Sequence, residues 1–222
     1  MNKEYNLESK FILIDKPIDW TSNDVVQYIK HLYNYKKVGH AGTLDLKATG
    51  LLILATNNKT KELNQLLHQD KTYELTLKFH YSSLSYDLDT NEVFVHYEPK
   101  ITLNEINKAI KYFLDLKQYY QTPPNFSAKK IHGKKAYELA RKNITFSLEP
   151  KLVQLYNIEL ISFDDLKQEL SLIIDTSSGF YVRSFVNDFA KYLNLHAILI
   201  KLNRTRIGNF YLKNSIKIKK LK

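Results

Sequence analysis

The chain has 222 residues, 44% of them hydrophobic, carries a formal charge of +10 and contains no cysteine. That length and apolar content suffice for one domain, or for one large domain with a small appendage, and the missing thiols exclude disulfides, thiolate metal sites and a cysteine nucleophile. No apolar run approaches the ~18 residues of a membrane span and the polar start "MNKEYNLESK" does not look like a signal peptide, so a cytoplasmic protein is expected.

Residues 11–14 form a short apolar run before Asp15-Lys16-Pro17 and read as a strand. Thr21 with Asp24 three positions on is a capping-box pattern, and Val25, Val26, Ile29, Leu32 and Tyr33 follow at helical spacing. Residues 51–55 read as a buried strand, and 59–68 as a helical face carrying Leu63, Leu66 and Leu67. Tyr73, Leu75, Leu77 and Phe79 alternate with polar residues, as do Val93, Val95 and Tyr97, so these two runs are expected to pair as strands. Thr102 and Glu105 cap a helix through Ile106, Ala109, Ile110 and Phe113. Residues 121–143 hold a Pro-Pro step, many basic residues and a short helical pattern around Ala136, Leu139 and Ala140. Residues 153–161 and 170–174 read as strands, and 184–193 as a helix with Phe185, Phe189 and Leu193 on one face. The basic tail "KNSIKIKKLK" is expected to fray. Helices and strands mix without a regular βαβα alternation, which points to an α+β fold with a largely antiparallel sheet.

The excess of Lys and Arg fits a polyanionic partner, nucleic acid or an anionic membrane surface. Heavy use of Lys, Asn, Ile and Tyr is equally what AT-rich coding produces. A sharper signal is "KVGHAGTLDLKATG", residues 37–50, which holds three of the six glycines around Asp45. It is neither a Gly-Lys-Ser/Thr phosphate loop nor G-x-G-x-x-G. Glycines let a backbone turn tightly and approach a ligand closely, so Asp45 sits on a constrained loop before a buried strand. An aspartate so placed is a nucleophile, a general base or a metal ligand, or simply caps a turn.

"GHAGTLDLKATG" is similar to the G-H-x-G-T-L-D-P-x-A-T-G signature of the TruB family, the bacterial tRNA pseudouridine-55 synthases. Nine of the twelve positions carry the signature residue, with Leu46 standing where proline is usual. "IDKPIDWTSNDVV" resembles the family's lysine-proline turn, with Asp19 in place of a glycine. "KTYELTLKF", "QTPPNFSAKKIHGKKAYELAR", "SSGFYVRSFVNDFAKYLN" and "LNRTRIGNF" resemble further family segments in the family's order, so the likeness spans roughly residues 10–210 and takes in all six glycines. "FHYSSLSYDLDTNE" matches least: Asp87 is kept, His80 and Thr90 replace glycines, and Ser83 and Ser85 replace threonines.

The resemblance implies the pseudouridine synthase fold and conversion of uridine 55 in the T loop of tRNA, without a cofactor, a metal or a membrane, by a monomer. It implies a catalytic domain over 1–212, with 121–143 as a basic insertion closing on the T arm, and a basic tail over 213–222. The family's further C-terminal RNA-binding domain has no counterpart before Lys222. By the same resemblance Asp45 is the nucleophile and Arg183 its cationic partner. Tyr73 stacks on the base and is a candidate proton acceptor at the sugar. Tyr181 is a second pocket aromatic, and Leu202 an apolar wall. Lys16 lies at the site's rim, and His40 helps accommodate RNA opened by flipping. Asp87 and the insertion lysines, with Lys129 and Lys130 foremost, contact RNA. Two rivals remain: an RNA-binding folding factor without turnover, against which intact Asp45, Tyr73 and Arg183 argue, and a glycosidase, which needs a second carboxylate that no motif supplies.

Overall fold

The computed structural model describes residues 4–96, 99–131 and 133–218. The chain divides into two compact units, Met1–Tyr73 with Leu202–Lys222, and Glu74–Lys201.

The first unit is organised around the strand Thr49–Thr56, buried at every residue after the first. Its apolar run does not alternate because both faces are covered. Leu52 and Leu54 pack with Ile12, Ile14 and the inner face of the helix Ser22–Leu32, namely Val25, Val26 and Ile29. Leu51 and Ile53 pack on the other side with Ala41, Leu66 and Ile207. Along one edge the strand pairs antiparallel with Phe11–Lys16, Leu52 opposite Ile14. Along the other it pairs antiparallel with Val38–Ala41 and, at its start, parallel with Asn203 and Arg204 of the strand Ala197–Ile207. The helix begins as its sequence predicts: Asp24 N donates to Thr21 Oγ1 (3.0 Å) and Thr21 N to Asp24 Oδ2 (2.8 Å). Such a cap stabilises a helix by about 1 kcal/mol.

Three features of this unit differ from the sequence reading. Residues 59–68 split into a 3-10 turn, Asn57–Glu62, and a short helix, Leu63–Leu67; Thr60 Oγ1 donates to Asn57 O (2.7 Å), which supports the tighter turn. Val38–Ala41, hidden in sequence by its glycine and histidine, is a strand because the central strand supplies its partner. The tail is tied down at Ile216–Lys217, which pairs parallel with Ile14 and Asp15, while Lys219, Lys220 and Lys222 lie outside the described residues.

The second unit holds neighbouring strands in the order Lys71–Phe79, Glu169–Thr176, Lys151–Asp164 and Gln118–Gln121. Lys151–Asp164 is antiparallel to both of its neighbours. The helices Leu103–Leu116 and Val182–Tyr192 meet through Phe113, whose ring lies 5.5 Å from Phe185 and 5.7 Å from Phe189. The Thr102–Glu105 capping box is present. The run from Val93 does not pair with Lys71–Phe79: Val93–Phe94 pairs instead with Tyr81–Ser82 in a separate small hairpin. His80, at φ 66°, breaks the long strand and lets the chain fold back, and Tyr97 lies outside the described residues. Across both units the pairing is largely antiparallel with flanking helices, as the α+β reading expects.

Candidate active site

In the first unit the loop around Asp45 is held at both ends by bonds to its own main-chain atoms. Before it, Leu44 N donates to the buried Ser22 Oγ (2.9 Å), which places the loop at the start of the helix Ser22–Leu32. After it, Asp19 N donates to Leu46 O (3.0 Å), and Ala48 N donates to Asp45 O (3.1 Å) to close a turn. Leu44 and Ala48 are buried in the core, and the half-buried Leu202 packs against the same cluster. Asp45 is therefore a half-buried carboxylate on a rigid loop whose flanks are core residues.

Lys16 is fully buried rather than at an open rim. Its ammonium donates to Trp20 O (2.6 Å), Pro17 O (3.0 Å) and, at 3.4 Å, Leu46 O, so it ties the 17–20 turn to the Asp45 loop. Burial lowers its pKa to about 8, while the charge of Asp45 pulls the other way. Asp19, standing where a glycine is usual, adopts φ 64°, a left-handed conformation that aspartate tolerates.

Tyr73 is buried, and its hydroxyl lies beside the guanidinium of Arg204. Burial raises the Tyr73 pKa, with Arg204 opposing the rise. Arg204 is 2% exposed and also donates from Nε to Leu51 O (2.9 Å) and from Nη2 to Gly42 O (3.0 Å). Burial lowers its own pKa, and Tyr73 and Asp45 oppose that. His40, on the strand Val38–Ala41, is kept towards its neutral form by burial and by the charge of Arg204. Among the described residues its buried Nδ1 has no hydrogen-bond partner, and no three acidic or histidine side chains converge on a metal position.

The second unit brings Arg183, Asp87 and Tyr181 together on another frame. Tyr181 caps the helix Val182–Tyr192, and its backbone N donates to Gln121 Oε1 (2.7 Å). Arg183 follows in the first turn, buried rather than on the surface. Its Nε lies 3.4 Å from Asp87 Oδ2, and its Nη1 donates to Ser85 O (3.2 Å). The 83–90 loop, the part least like the family pattern, is well bonded. Ser85 Oγ and Thr90 Oγ1 lie 2.9 Å apart, and Asp89 N donates to Asp87 Oδ1 (2.9 Å). Asp87 thus acts here as a buried partner of Arg183, not as an exposed RNA contact.

In the 121–143 segment, Lys130–Ile131 and Lys134–Lys135 form a hairpin that sets Lys130 opposite Lys135. Like charges directly opposite destabilise a strand pair, and a bound phosphate would relieve them. Lys129 is half-buried and its Nζ lies 3.4 Å from Glu149 O. His132 lies outside the described residues. The residue that the sequence reading passed over is Arg204. Its signal was present as the arginine of "LNRTRIGNF", but nothing in an arginine between polar neighbours announces burial at 2% exposure.

The family model described as TruB family pseudouridylate synthase (N terminal domain) matches residues 30–182. The tRNA pseudouridine synthase B of Ureaplasma urealyticum serovar 10 is 47% identical over 217 residues, 98% of this chain and 94% of that protein. The tRNA pseudouridine synthase B of Malacoplasma penetrans is 44% identical over 211 residues, 95% of this chain and 90% of that protein. Among solved structures, a chain of a Cbf5-Nop10-Gar1 complex matches with a TM-score of 0.72 at 24% identity, over 98% of this chain and 59% of that one. At that identity the likeness speaks for the fold alone.

Proposed function

Because the chain belongs to the TruB family of pseudouridylate synthases, we propose that it isomerises uridine 55 in the T loop of tRNA, with Asp45 as the nucleophile on a flipped-out base. The fold is the pseudouridine synthase fold, and the enzyme class is an isomerase acting on tRNA. The observation that carries the reading is the Asp45 loop: a family signature in sequence, and in structure a carboxylate fixed on a frame of backbone bonds.

The reaction breaks the N1–C1′ bond, turns the uracil and joins C5 to C1′; C5 loses a proton, N1 gains one, and the composition is unchanged. As the bond breaks, the base leaves with the electron pair and the sugar becomes electron-poor. An ionised Asp45 beside C1′ and C2′ offsets that charge in a site closed to water. Arg183 supplies a buried positive charge to the reaction. Tyr73 and Tyr181 hold the base by stacking, Leu202 closes an apolar wall, and His40 occupies the space opened by flipping. The 121–143 segment and the 213–222 tail attract phosphates. The protein acts as a monomer in the cytoplasm, where tRNA resides. The test is to incubate T-arm RNA with the pure protein and map pseudouridine: it is expected at position 55, and its absence would sink the proposal.

Two consequences follow for side chains outside the loop. Arg183→Ala is expected to slow single-turnover isomerisation by about 100-fold or more, as loss of one charged partner in a buried site does. Arg183→Lys, which keeps the charge but not the fork, should fall between it and the parent. A rate for Arg183→Ala within about 3-fold of the parent would remove Arg183 from the reaction. Replacing Lys129, Lys130, Lys134 and Lys135 with glutamine should weaken binding and flatten the plot of log affinity against log salt by up to about 3 units, at roughly 0.7 per phosphate for single strands. The rate at saturating RNA should change less. An unaltered slope would show that the segment does not grip phosphate.

A further inference from the structure

We propose that Arg204 is a positioning residue for the reaction, one that locks the Tyr73 hydroxyl and the Asp45 loop into a single frame. The inference rests on the reading of Asp45 and Tyr73 given above. Arg204 is among the largest fully buried side chains of the protein. A guanidinium carries five N–H donors in a fixed plane and no acceptor. Here that fork reaches three separate parts of the site. Nη2 donates to Gly42 O where the chain enters the loop, Nε donates to Leu51 O on the central strand, and the guanidinium lies beside the Tyr73 hydroxyl.

Each contact has a structural consequence. Gly42, at φ 75°, adopts a left-handed conformation three residues before Asp45, and a Cβ there would stand 3.4 Å from Arg204 Nη1. The loop therefore enters its turn directly against the guanidinium. Leu51 O ties the fork to the strand that leaves the loop, so Arg204 spans the loop from Gly42 to Leu51. Arginine can only donate, so the bond proposed to Tyr73 has a direction. The phenol oxygen accepts from Arg204, and its own proton must point elsewhere. Arg204 thereby fixes which side of the hydroxyl remains for a ligand.

Charge points the same way. The Leu51 and Gly42 carbonyls that accept from Arg204 are neutral, so they do not cancel its charge. The carboxylate that feels it is Asp45.

The experiment is a double-substitution cycle read by single-turnover rates at saturating T-arm RNA, with Arg204→Lys, Tyr73→Phe and the pair. Lysine keeps the charge and loses the fork. Arg204→Lys is expected to slow turnover about 10-fold or more while the RNA dissociation constant moves less than about 3-fold. In the Tyr73→Phe background the same substitution should cost clearly less, because the bond it breaks is already gone. Equal losses in both backgrounds would overturn the proposal, as would a parent-like rate for Arg204→Lys. A second measurement needs no change at Arg204. The side-chain 15N–1H signals of Arg204 should shift and exchange faster with solvent in Tyr73→Phe, and unchanged signals would also overturn it. Failure of the underlying reading looks different: the parent protein itself would form no pseudouridine, or Asp45→Asn would keep its activity.

Discussion

Asp45→Asn is expected to abolish turnover and leave tRNA binding nearly intact. Asparagine has the size and shape of aspartate but no full negative charge, and the reaction draws on that charge as the glycosidic bond breaks. The substitution should not disturb the loop, because the bonds that fix it run through the backbone. Leu44 N to Ser22 Oγ, Asp19 N to Leu46 O and Ala48 N to Asp45 O involve no Asp45 side-chain atom. Lys16, whose Nζ reaches Leu46 O at 3.4 Å, still ties the loop to the 17–20 turn. Loss of a nucleophile typically costs about 10⁴-fold or more, so pseudouridine should fall below detection in single-turnover assays. Filter binding of T-arm RNA should give a dissociation constant within about 3-fold of the parent, since a lost rate with kept affinity is the mark of an interaction made in the transition state. Substantial turnover by the purified variant would remove Asp45 from its role. A large loss of binding would instead make it an RNA contact.

The parts of this protein legible in sequence were those whose physics is local. The Thr21–Asp24 and Thr102–Glu105 caps need four residues each, and both appear as written. The alternation in Lys71–Phe79 and the apolar run in Thr49–Thr56 likewise announce their own burial. What sequence hid was set by distant partners. Val38–Ala41 is a strand because Thr49–Thr56 lies beside it, not because its residues favour one. The resemblance puts Lys16 at the site's rim, yet it is fully buried and bonds carbonyls of residues 17, 20 and 46. Asp87 reads as an RNA contact until the helix Val182–Tyr192 is seen to bring Arg183 to it. The resemblance named Asp45, Tyr73 and Arg183 because it compares whole motifs, but it could not say which bonds hold them. Arg204 marks that gap. Its contacts at Gly42, Leu51 and Tyr73 lie between 131 and 162 positions away along the chain, so no window of sequence contains them.

Gly50→Ala should be the most damaging small substitution outside the chemistry. Gly50 closes the signature at φ 105°, a backbone conformation that L side chains rarely adopt. It also lies against the parallel strand, opposite Arg204. A Cβ built on it would overlap Arg204 O, stand 2.5 Å from Asn203 Oδ1 and 2.6 Å from Arg204 N. Two of those atoms are backbone of the neighbouring strand and cannot move aside alone. Overpacking costs about 1–3 kcal/mol and a left-handed conformation about 1–2 more, so a loss of about 2–5 kcal/mol is expected. For a chain of this size that lowers the thermal midpoint by roughly 5–15 °C. Any relaxation must push the backbone of Arg204, and with it the guanidinium on Gly42 O and the Tyr73 hydroxyl, so the surviving folded fraction should also turn over slowly. Gly133→Ala is the control. It stands at φ 83°, with nothing among the described residues within 4 Å of the added Cβ, and carries the conformational strain without the overlap. Thermal melts of the two variants separate the causes: Gly133→Ala should lose only about 1–2 kcal/mol. If Gly50→Ala melts no lower than Gly133→Ala, the close approach of the two strands is not what the glycine serves.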